Sequence, residues 1–230
     1  MILAVMQPYL FPYIGYYQLA YHCDEFIFYD DVNYIKGGYI NRNNILTKNG
    51  KQLFTIPVNQ ASSFKKINEL EFSNNVKKVL VTIQQAYSKA PYFDAAYPII
   101  EKILLSENRN VAKITSNSII EIFNYLELPF KYEFSSNIDY DRGLDAKNKL
   151  FSFCKLYNAQ KYTNTMGGKS LYNKDEFKNK NIELSFIETG NIIYTQFNSD
   201  KFESNLSIID LLMNVDKEKI IKLLGIYHVN

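Results

Sequence analysis

The sequence predicts an α/β fold with a Rossmann-like N-terminal βαβ unit, a mostly parallel sheet, a β-hairpin and a helical middle segment. Residues 2–6 are a short, continuous apolar run, which is typical of a buried parallel strand. A loop rich in proline and glycine follows, and residues 16–22 can then form a helix. Residues 25–29 are a second strand-like run, so the order strand, helix, strand predicts a βαβ unit. Such units bind ligands at the carboxyl ends of their strands.

The next elements are predicted from turn residues and apolar spacing. Asn49-Gly50 separates two β-rich runs, 39–46 and 52–58, and an Asn-Gly pair in this position favours a hairpin. Pro98 is expected in the first turn of its helix, where a missing N–H is tolerated. Further along the chain we expect helices at 76–87, 97–105, 111–125 (capped by Asn110), 146–157, 207–213 and 217–224, and strands at 130–134 and 182–186.

Length and composition suit one domain spanning 1–230, with a helical subdomain at about 74–127. Charged residues make up 22% of the chain, which excludes wholesale disorder. The apolar run at the start lacks a basic segment and stops at Gln7, so it is not a signal peptide. With no long apolar run to span a membrane, we expect a cytoplasmic protein.

Charge and ligand-type residues exclude further classes. The chain has 26 basic and 24 acidic residues, so no basic excess indicates a nucleic-acid partner. Two cysteines, Cys23 and Cys154, do not make a disulfide framework. With His22 and His228 as the two histidines, no metal site of standard zinc spacing is expected. Cys154 is expected in the core, His22 at the end of a helix, and His228 in a frayed terminus.

The first candidate for a binding site is the loop from Gln7 to Tyr16. Within it, Tyr13-Ile14-Gly15-Tyr16 has the outline of the His-x-Gly-His loop of nucleotidylyltransferases, which also follows a first strand and opens a helix. Backbone N–H groups at that helix start can receive a phosphate. Tyrosines replace both histidines, so a nucleotide cradle without nucleotidyl transfer is one interpretation. The other is a proline-stiffened loop that packs aromatic rings into the core.

The second candidate lies after the second strand. Asp30 and Asp31 come at its carboxyl end, where α/β sites form, and neighbouring strand residues point to opposite faces, so one carboxylate is expected to face a site. Asn41, Arg42 and Asn43 add a dense set of donors, and arginine can clamp a phosphate bidentately. The alternative interpretation is turn capping by the aspartates and a solvated arginine.

The third candidate is the glycine pair Gly167-Gly168, which Lys169 and hydroxyl residues flank and which Tyr172 follows. Its backbone N–H groups can approach an anion. The spacing is not that of a phosphate-binding Walker loop, so ATP hydrolysis is not implied. A plain connecting loop explains the pattern as well.

Several blocks of residues, spread over the whole chain, are those of a known family, and the sequence is identified as a member of the WbqC-like protein family. The matching blocks are Met6–Tyr16, Phe28–Val32, Ile35-Lys36, Ile40–Asn43, Lys89–Phe93, Ser135-Ser136, Gly167-Gly168 with Leu171-Tyr172, Tyr194–Gln196 and Leu206–Asp210. The resemblance implies a role in bacterial surface-polysaccharide pathways, lipopolysaccharide O-antigen above all, with action on amino sugars such as attachment of an aminoacyl or acyl group. It carries no settled set of catalytic residues.

The leading functional hypothesis is therefore a transferase that acylates the amine of a nucleotide-linked deoxyamino sugar. An acyl thioester, on coenzyme A or an acyl carrier protein, is the expected cosubstrate, with no tightly bound cofactor and no metal. Either Asp31 or Asp30 is the expected base, and Asp31 is preferred because it lies further toward the loop.

The remaining roles fall to donors. Asn41, Asn43 or the backbone of Gly167-Gly168 are the candidates to stabilise the oxyanion. The predicted substrate-binding residues are Gln7, Tyr13, Gly15, Lys36, Arg42, Gly167, Gly168 and Tyr172. Two alternatives stay open. One is a nucleotidyltransferase-related enzyme that uses the Tyr-x-Gly-Tyr loop, and the other is a non-catalytic binding partner within the pathway.

Overall fold

A computed structural model describes residues 1–230 and shows a mixed α/β fold. The strands are β1 (Ile2–Met6), β2 (Glu25–Phe28), β3 (Arg42–Thr47), β4 (Gly50–Thr55), β5 (Val58–Asn59), β6 (Glu71–Phe72), β7 (Tyr132–Phe134), β8 (Lys161–Thr165), β9 (Glu183–Thr189) and β10 (Tyr227–Val229). The helices are α1 (Ile14–His22), α2 (Lys77–Tyr87), α3 (Phe93–Leu104), α4 (Val111–Tyr125), α5 (Ala146–Leu156), α6 (Lys174–Lys178), α7 (Ile208–Asn214) and α8 (Lys217–Leu224).

Six strands form the main sheet in the order β10-β9-β8-β1-β2-β7. The five strands from β9 to β7 are parallel, and β10 pairs antiparallel with β9 at the edge. Counted along the chain within this sheet, the order is 3-2-1-4-5-6, which is that of a dinucleotide-binding Rossmann fold. The predicted Rossmann-like fold with a mostly parallel sheet is confirmed. The order of the strands reverses between β1 and β8, and a crevice is expected there, at their carboxyl ends.

Both faces of the sheet are covered because successive strand side chains point in opposite directions. In β1, Ala4 belongs to the larger core cluster of 46 buried residues, whereas Leu3 and Val5 belong to a smaller cluster of 13. The larger cluster includes side chains of α1, α4, α7 and α8, and the smaller one those of α5 and α6. Burial of these apolar surfaces from both sides fixes the carboxyl edge of the sheet in place.

The long connection between β2 and β7 holds the predicted hairpin and helices. The hairpin β3–β4 turns at Gly50, whose φ of +90° is a conformation that glycine adopts without strain. Asn110 caps α4 by accepting from the Lys113 N–H at 3.1 Å, as its position predicts. No helix of the structure has the length and apolar character needed to cross a membrane.

Residues 161–165 differ from expectation, because they form the buried strand β8 where the sequence indicated a loop. Their composition is polar, but the polar groups pair with one another inside the sheet. Thr163 Oγ1 lies 2.9 Å from Ser185 Oγ, and Asn164 Nδ2 donates to the Tyr162 hydroxyl at 3.0 Å. Satisfied hydrogen bonds make the burial of such residues tolerable, so the strand has no apolar signature.

Two further predictions were wrong at the level of individual elements. Helix α3 begins at Phe93, so Pro98 lies inside it and not in its first turn; the preceding Tyr92 N–H is anchored on the Met213 carbonyl at 3.1 Å. His228 is not frayed, since it pairs with Glu188 in the β9–β10 ladder. Cys154 is buried at 1% exposure, as expected of a core thiol.

Candidate functional site

Polar residues follow the strands at the carboxyl edge of the sheet. Gln7 comes directly after β1, Asp30 and Asp31 follow β2, Ser135 follows β7, and Met166 begins the 3-10 turn after β8. Since the strands are parallel neighbours, these positions meet along one edge. We define this region, around the ends of β1, β2, β7 and β8, as the carboxyl-edge site.

Gln7 lies at the point where the strand order reverses, and part of its side chain is unsatisfied. Its backbone carbonyl accepts from the buried Tyr16 hydroxyl at 2.9 Å. Its side-chain oxygen Oε1 is buried and has no hydrogen-bond partner. Leaving such an acceptor unpaired costs about 1–3 kcal/mol. A ligand N–H or O–H that reached this oxygen would remove that cost, so Gln7 is a candidate contact for a donor-bearing ligand.

Asp30 is buried and accepts hydrogen bonds on both carboxylate oxygens. Oδ1 accepts from the Ser136 N–H at 2.9 Å, and Oδ2 accepts from the Ser136 hydroxyl at 2.7 Å. The Asn68 amide approaches Oδ2 at 3.4 Å. Asp30 therefore joins the turn after β7 to the end of β2.

Asp31 is also buried, but its partners include a cation that reaches solvent. The Tyr140 hydroxyl lies 2.9 Å from both carboxylate oxygens, and Arg142 Nε lies 2.9 Å from Oδ2. The Arg142 side chain is 40% exposed, against 3% for Asp31. A charge-assisted bond of this kind is a strong one, and it connects the buried carboxylate to the surface.

The two aspartates do not point to opposite faces as a strand would require, because β2 ends at Phe28. The Ser135 hydroxyl lies 3.1 Å from Asp30 Oδ1 and 2.5 Å from Asp31 Oδ1. Both carboxylates therefore converge on one hydroxyl, which has a single proton to donate. The expectation that one of them faces away is not met.

Two phenols accompany Asp31. Burial, together with the nearby charge of Asp31 and the phenol of Tyr172, raises the pKa of Tyr29 to about 12. Burial also raises the pKa of Tyr140, which donates to Asp31 and interacts with Tyr29. Both phenols therefore stay protonated at neutral pH and act as hydrogen-bond donors. The predicted binding residue Tyr172 packs edge-on against Tyr162 and lies close enough to Tyr29 to influence its pKa.

Asn41 and Asn43 use their amides to hold backbone segments. Asn41 Nδ2 donates to the Ile56 carbonyl at 2.8 Å. Asn43 Nδ2 donates to the Phe11 carbonyl at 2.8 Å and to Leu10 at 3.3 Å. Both residues are buried. Asn43 positions the loop after β1 and has no free amide N–H for an oxyanion, whereas Asn41 holds the residue that follows the hairpin.

Arg42 and Lys36 are cations with free nitrogen atoms. Arg42 Nε donates to the Gly38 carbonyl at 3.1 Å, and its two terminal nitrogens have no hydrogen-bond partner in the chain. Lys36 is exposed in the turn that this bond supports. Gly37 in that turn has a φ of +75°, which favours glycine over other residues. An anion can therefore be reached by both cations without breaking an existing ion pair.

The Tyr-x-Gly-Tyr segment opens α1, but its two tyrosines face different surroundings. Tyr16 is 1% exposed and its hydroxyl is committed to Gln7, so it cannot face a phosphate. Tyr13 lines a cavity of about 310 Å³ beside the end of β9. A Cβ on Gly15 would clash with the Tyr13 ring and with Thr189, so glycine is needed where α1 meets β9. The segment therefore lacks the paired side chains of a His-x-Gly-His site.

Gly167 and Gly168 lie in the 3-10 turn directly after β8, Met166–Leu171, beside the reversal point. A Cβ on Gly168 would lie 3.1 Å from the Asn164 amide, so this turn packs tightly on the end of the strand. No group of three or more His, Cys, Asp or Glu side chains is arranged to hold a metal ion.

Sequence reasoning missed the residues that surround the aspartates. Ser136, Tyr140 and Arg142 lie over a hundred residues further along the chain, in the turn after β7. The sequence shows a run of polar residues after the short strand β7. It does not show that β7 pairs with β2, so nothing in it connects these residues with the aspartates.

Comparison with known proteins identifies the family. The model of the WbqC-like protein family matches residues 7–222. The chain belongs to the WbqC-like protein family. A relative from Mycobacterium tuberculosis, uncharacterized protein Rv1507c, is 29% identical over 220 residues, which cover 94% of each chain. No solved structure matches this WbqC-like chain. Family membership suggests a role in polysaccharide biosynthesis.

Proposed function

We propose that this WbqC-like protein is a transferase of surface-polysaccharide biosynthesis that acylates the amine of a nucleotide-linked deoxyamino sugar. The acyl group, aminoacyl or simple acyl, comes from a thioester of coenzyme A or of a carrier protein. The observation that carries the proposal is the carboxyl-edge site, where the unpaired Oε1 of Gln7 lies at the point of strand reversal and the Asp31 cluster lies one strand away, after β2.

The free cations support a diphosphate-bearing substrate. The terminal nitrogens of Arg42 have no partner in the chain, and Lys36 is exposed in the turn whose Gly38 carbonyl accepts from Arg42 Nε. Arginine binds phosphate oxygens with two parallel N–H groups, which fixes orientation as well as affinity. In this proposal Arg42 and Lys36 bind the diphosphate, and Gln7 Oε1 accepts from a hydroxyl or amine of the sugar.

The reaction needs an amine with a free lone pair. The amine nitrogen attacks the thioester carbonyl, the C–N bond forms as the C–S bond breaks, and the departing thiolate takes a proton. Asp31 is the proposed acceptor of the proton that the amine loses. Because the Tyr140 hydroxyl bonds both Asp31 oxygens, it relays the proton in this proposal: it donates its own proton to the carboxylate and takes the one that the amine loses.

Donors for the tetrahedral intermediate come from the turn after β8 in this proposal. The Asn43 amide is fully engaged, and the Asn41 amide is bound to Ile56. The remaining predicted oxyanion donors are the backbone N–H groups of Gly167 and Gly168, in the turn after β8 and beside the reversal of strand order.

The test is a mass-spectrometric assay. The purified protein is incubated with a nucleoside-diphosphate-linked deoxyamino sugar and a panel of acyl and aminoacyl thioesters. We expect the sugar nucleotide to gain the mass of one acyl group and the thioester to release one thiol. Pyrophosphate release from ATP without acylation would favour the nucleotidyltransferase alternative. Binding of the sugar nucleotide with no turnover on any donor would favour a non-catalytic partner.

A further inference from the structure

Two loops beside the carboxyl-edge site expose large apolar side chains. Phe64 is 92% exposed, Tyr39 is 52% exposed and Ile35 is 50% exposed. A single exposed apolar residue is ordinary on a protein surface, whereas a cluster of them marks an interaction site. Because Phe64 is almost fully exposed, its side chain projects from the loop into solvent and does not line a groove.

The backbone brings these residues together. The Tyr34 N–H donates to the Lys65 carbonyl at 2.9 Å, and Asn33 pairs with Lys66 in an antiparallel bridge. The next residues outward in this antiparallel arrangement are Ile35 and Phe64. We define the tip formed by Ile35, Lys36, Tyr39 and Phe64–Lys66 as the apolar–basic tip.

The charge of the tip is positive although the chain as a whole is nearly neutral. Lys36 is an exposed cation of the first loop, and Lys65 and Lys66 follow Phe64 in the second. The nearby acids, Glu69 and Glu71, lie behind Lys65 and outside the tip, and the Glu69 carboxylate accepts from the Lys66 backbone N–H at 2.8 Å. Asp30 and Asp31 lie behind the tip, buried and bonded to their own donors. The solvent-facing charge is therefore basic.

We propose that the apolar–basic tip docks on an anionic membrane surface. Protruding aromatic and aliphatic side chains enter the headgroup region of a bilayer, and lysines beside them attract anionic lipids. A deformable interface accepts projecting side chains, whereas a folded protein partner needs a matching pocket for Phe64. Docking in this orientation would place the carboxyl-edge site close to the membrane. The proposal does not depend on the acylation reaction.

The experiment is vesicle flotation of the full chain with phosphatidylcholine vesicles, with and without about 30% phosphatidylglycerol. We expect binding to the anionic vesicles, little binding to the neutral ones, and weakening on addition of salt. Phe64→Ser should weaken binding about tenfold or more, since a buried aromatic contributes that much. Lys65→Gln should weaken it by about fivefold, the effect of one cation near such a surface.

Leu156→Ser is the matched control, because Leu156 is 52% exposed at the end of α5, away from the tip. This variant should bind anionic vesicles as the wild type does. Melting temperatures check that each variant is folded. Equal binding to neutral and anionic vesicles, or full binding by Phe64→Ser, overturns the proposal. Capture of a purified acidic carrier protein through Phe64, without vesicle binding, also overturns it and assigns the tip to a protein partner.

Discussion

Asp31 and Asp210 are both buried carboxylates bonded to tyrosines, but they differ in charge balance and position. Asp210, in α7, accepts from the Tyr87 and Tyr194 hydroxyls at 2.7 Å each and from the Gln196 amide at 2.9 Å. All its partners are neutral, and it is fully buried. Asp31 bonds to a half-exposed arginine and lies at the carboxyl edge of the sheet.

This difference in partners and position indicates a structural role for Asp210 and a candidate functional role for Asp31. Burial raises the pKa of Asp210, with the hydrogen bonds from its three neighbours opposing part of that rise. Its partners tie α2 and the segment around Tyr194 to α7, so it holds together parts that are distant in sequence. Asp31 instead has a cation that reaches solvent, and it lies at the carboxyl edge of the sheet, one strand from the reversal of strand order, where α/β proteins bind ligands.

The largest expected effect concerns turnover. Asp31→Asn keeps the shape of the side chain and removes the base, so turnover should fall by about 10²–10⁴-fold while binding of the sugar nucleotide persists. Asp30→Asn is the matched control, because Asp30 is committed to Ser136 and Asn68. The measurement is the initial rate of acyl transfer in the mass-spectrometric assay. Near-normal turnover in Asp31→Asn would show that another residue acts as the base.

The next effect concerns stability. Asp210→Ala leaves the Tyr87, Tyr194 and Gln196 donors without their shared acceptor in the core. Unpaired buried donors are costly, so the free energy of unfolding should drop by about 3–5 kcal/mol in urea titrations. The exposed Asp200 provides the control, and Asp200→Ala should change that free energy by less than about 0.5 kcal/mol. Equal losses in the two variants would contradict the structural role of Asp210.

A smaller loss is expected from Arg142→Ala. The variant removes the cation of Asp31 and the bonds from Nη2 to the Ser136 and Ile138 carbonyls. Because Arg142 is 40% exposed and therefore screened, a loss of about 1–2 kcal/mol in unfolding free energy is expected. Lys102→Ala, which breaks a surface ion pair, should cost about 0–1 kcal/mol. If Arg142→Ala loses no more unfolding free energy than Lys102→Ala, the Arg142–Asp31 pair contributes no more to stability than a surface ion pair.

The pH dependence of stability gives the finest comparison. A carboxyl whose pKa is raised on folding binds its proton more tightly in the native state. Its stabilising contribution is complete below the unfolded-state pKa and is lost as pH rises through the native-state value. Relative to Asp210→Asn, the wild type should therefore lose stability as the pH rises above about 4, the pKa of an unfolded aspartate. Urea midpoints at several pH values measure the difference, and a rise with pH would contradict the neutral surroundings assigned to Asp210.

Elements with a local signature were predictable from the sequence. The apolar runs of β1 and β2, the Asn49-Gly50 turn and the apolar stripe of α4 each decide their structure within a few residues. The positions of Asp30 and Asp31 at a carboxyl edge follow from the same reasoning, since a strand end and a polar pair are both visible locally.

The rest of the fold and of the candidate site depends on contacts between residues that are distant in the sequence. Strand β8 is polar and becomes a strand through its pairing with β1 and β9, and its Thr163 hydroxyl is satisfied by Ser185. Tyr140 and Arg142 join the site because β7 pairs with β2, which no local pattern indicates. Asn41 and Asn43 have the residue type of oxyanion donors, and the carbonyls that occupy them become visible only in the fold.

Binding of a sugar nucleotide to the wild type and to Arg42→Ala tests the central claim most directly. At about 100-fold its dissociation constant, a ligand that binds only the native state adds about 2.7 kcal/mol, so the melting temperature of the wild type should rise by about 5 °C or more. Arg42→Ala should lose most of that shift, because it removes the proposed phosphate clamp. If neither a nucleoside diphosphate nor a nucleotide-linked amino sugar shifts the wild-type melting temperature at millimolar concentration, the protein does not bind this class of substrate and the central claim is wrong.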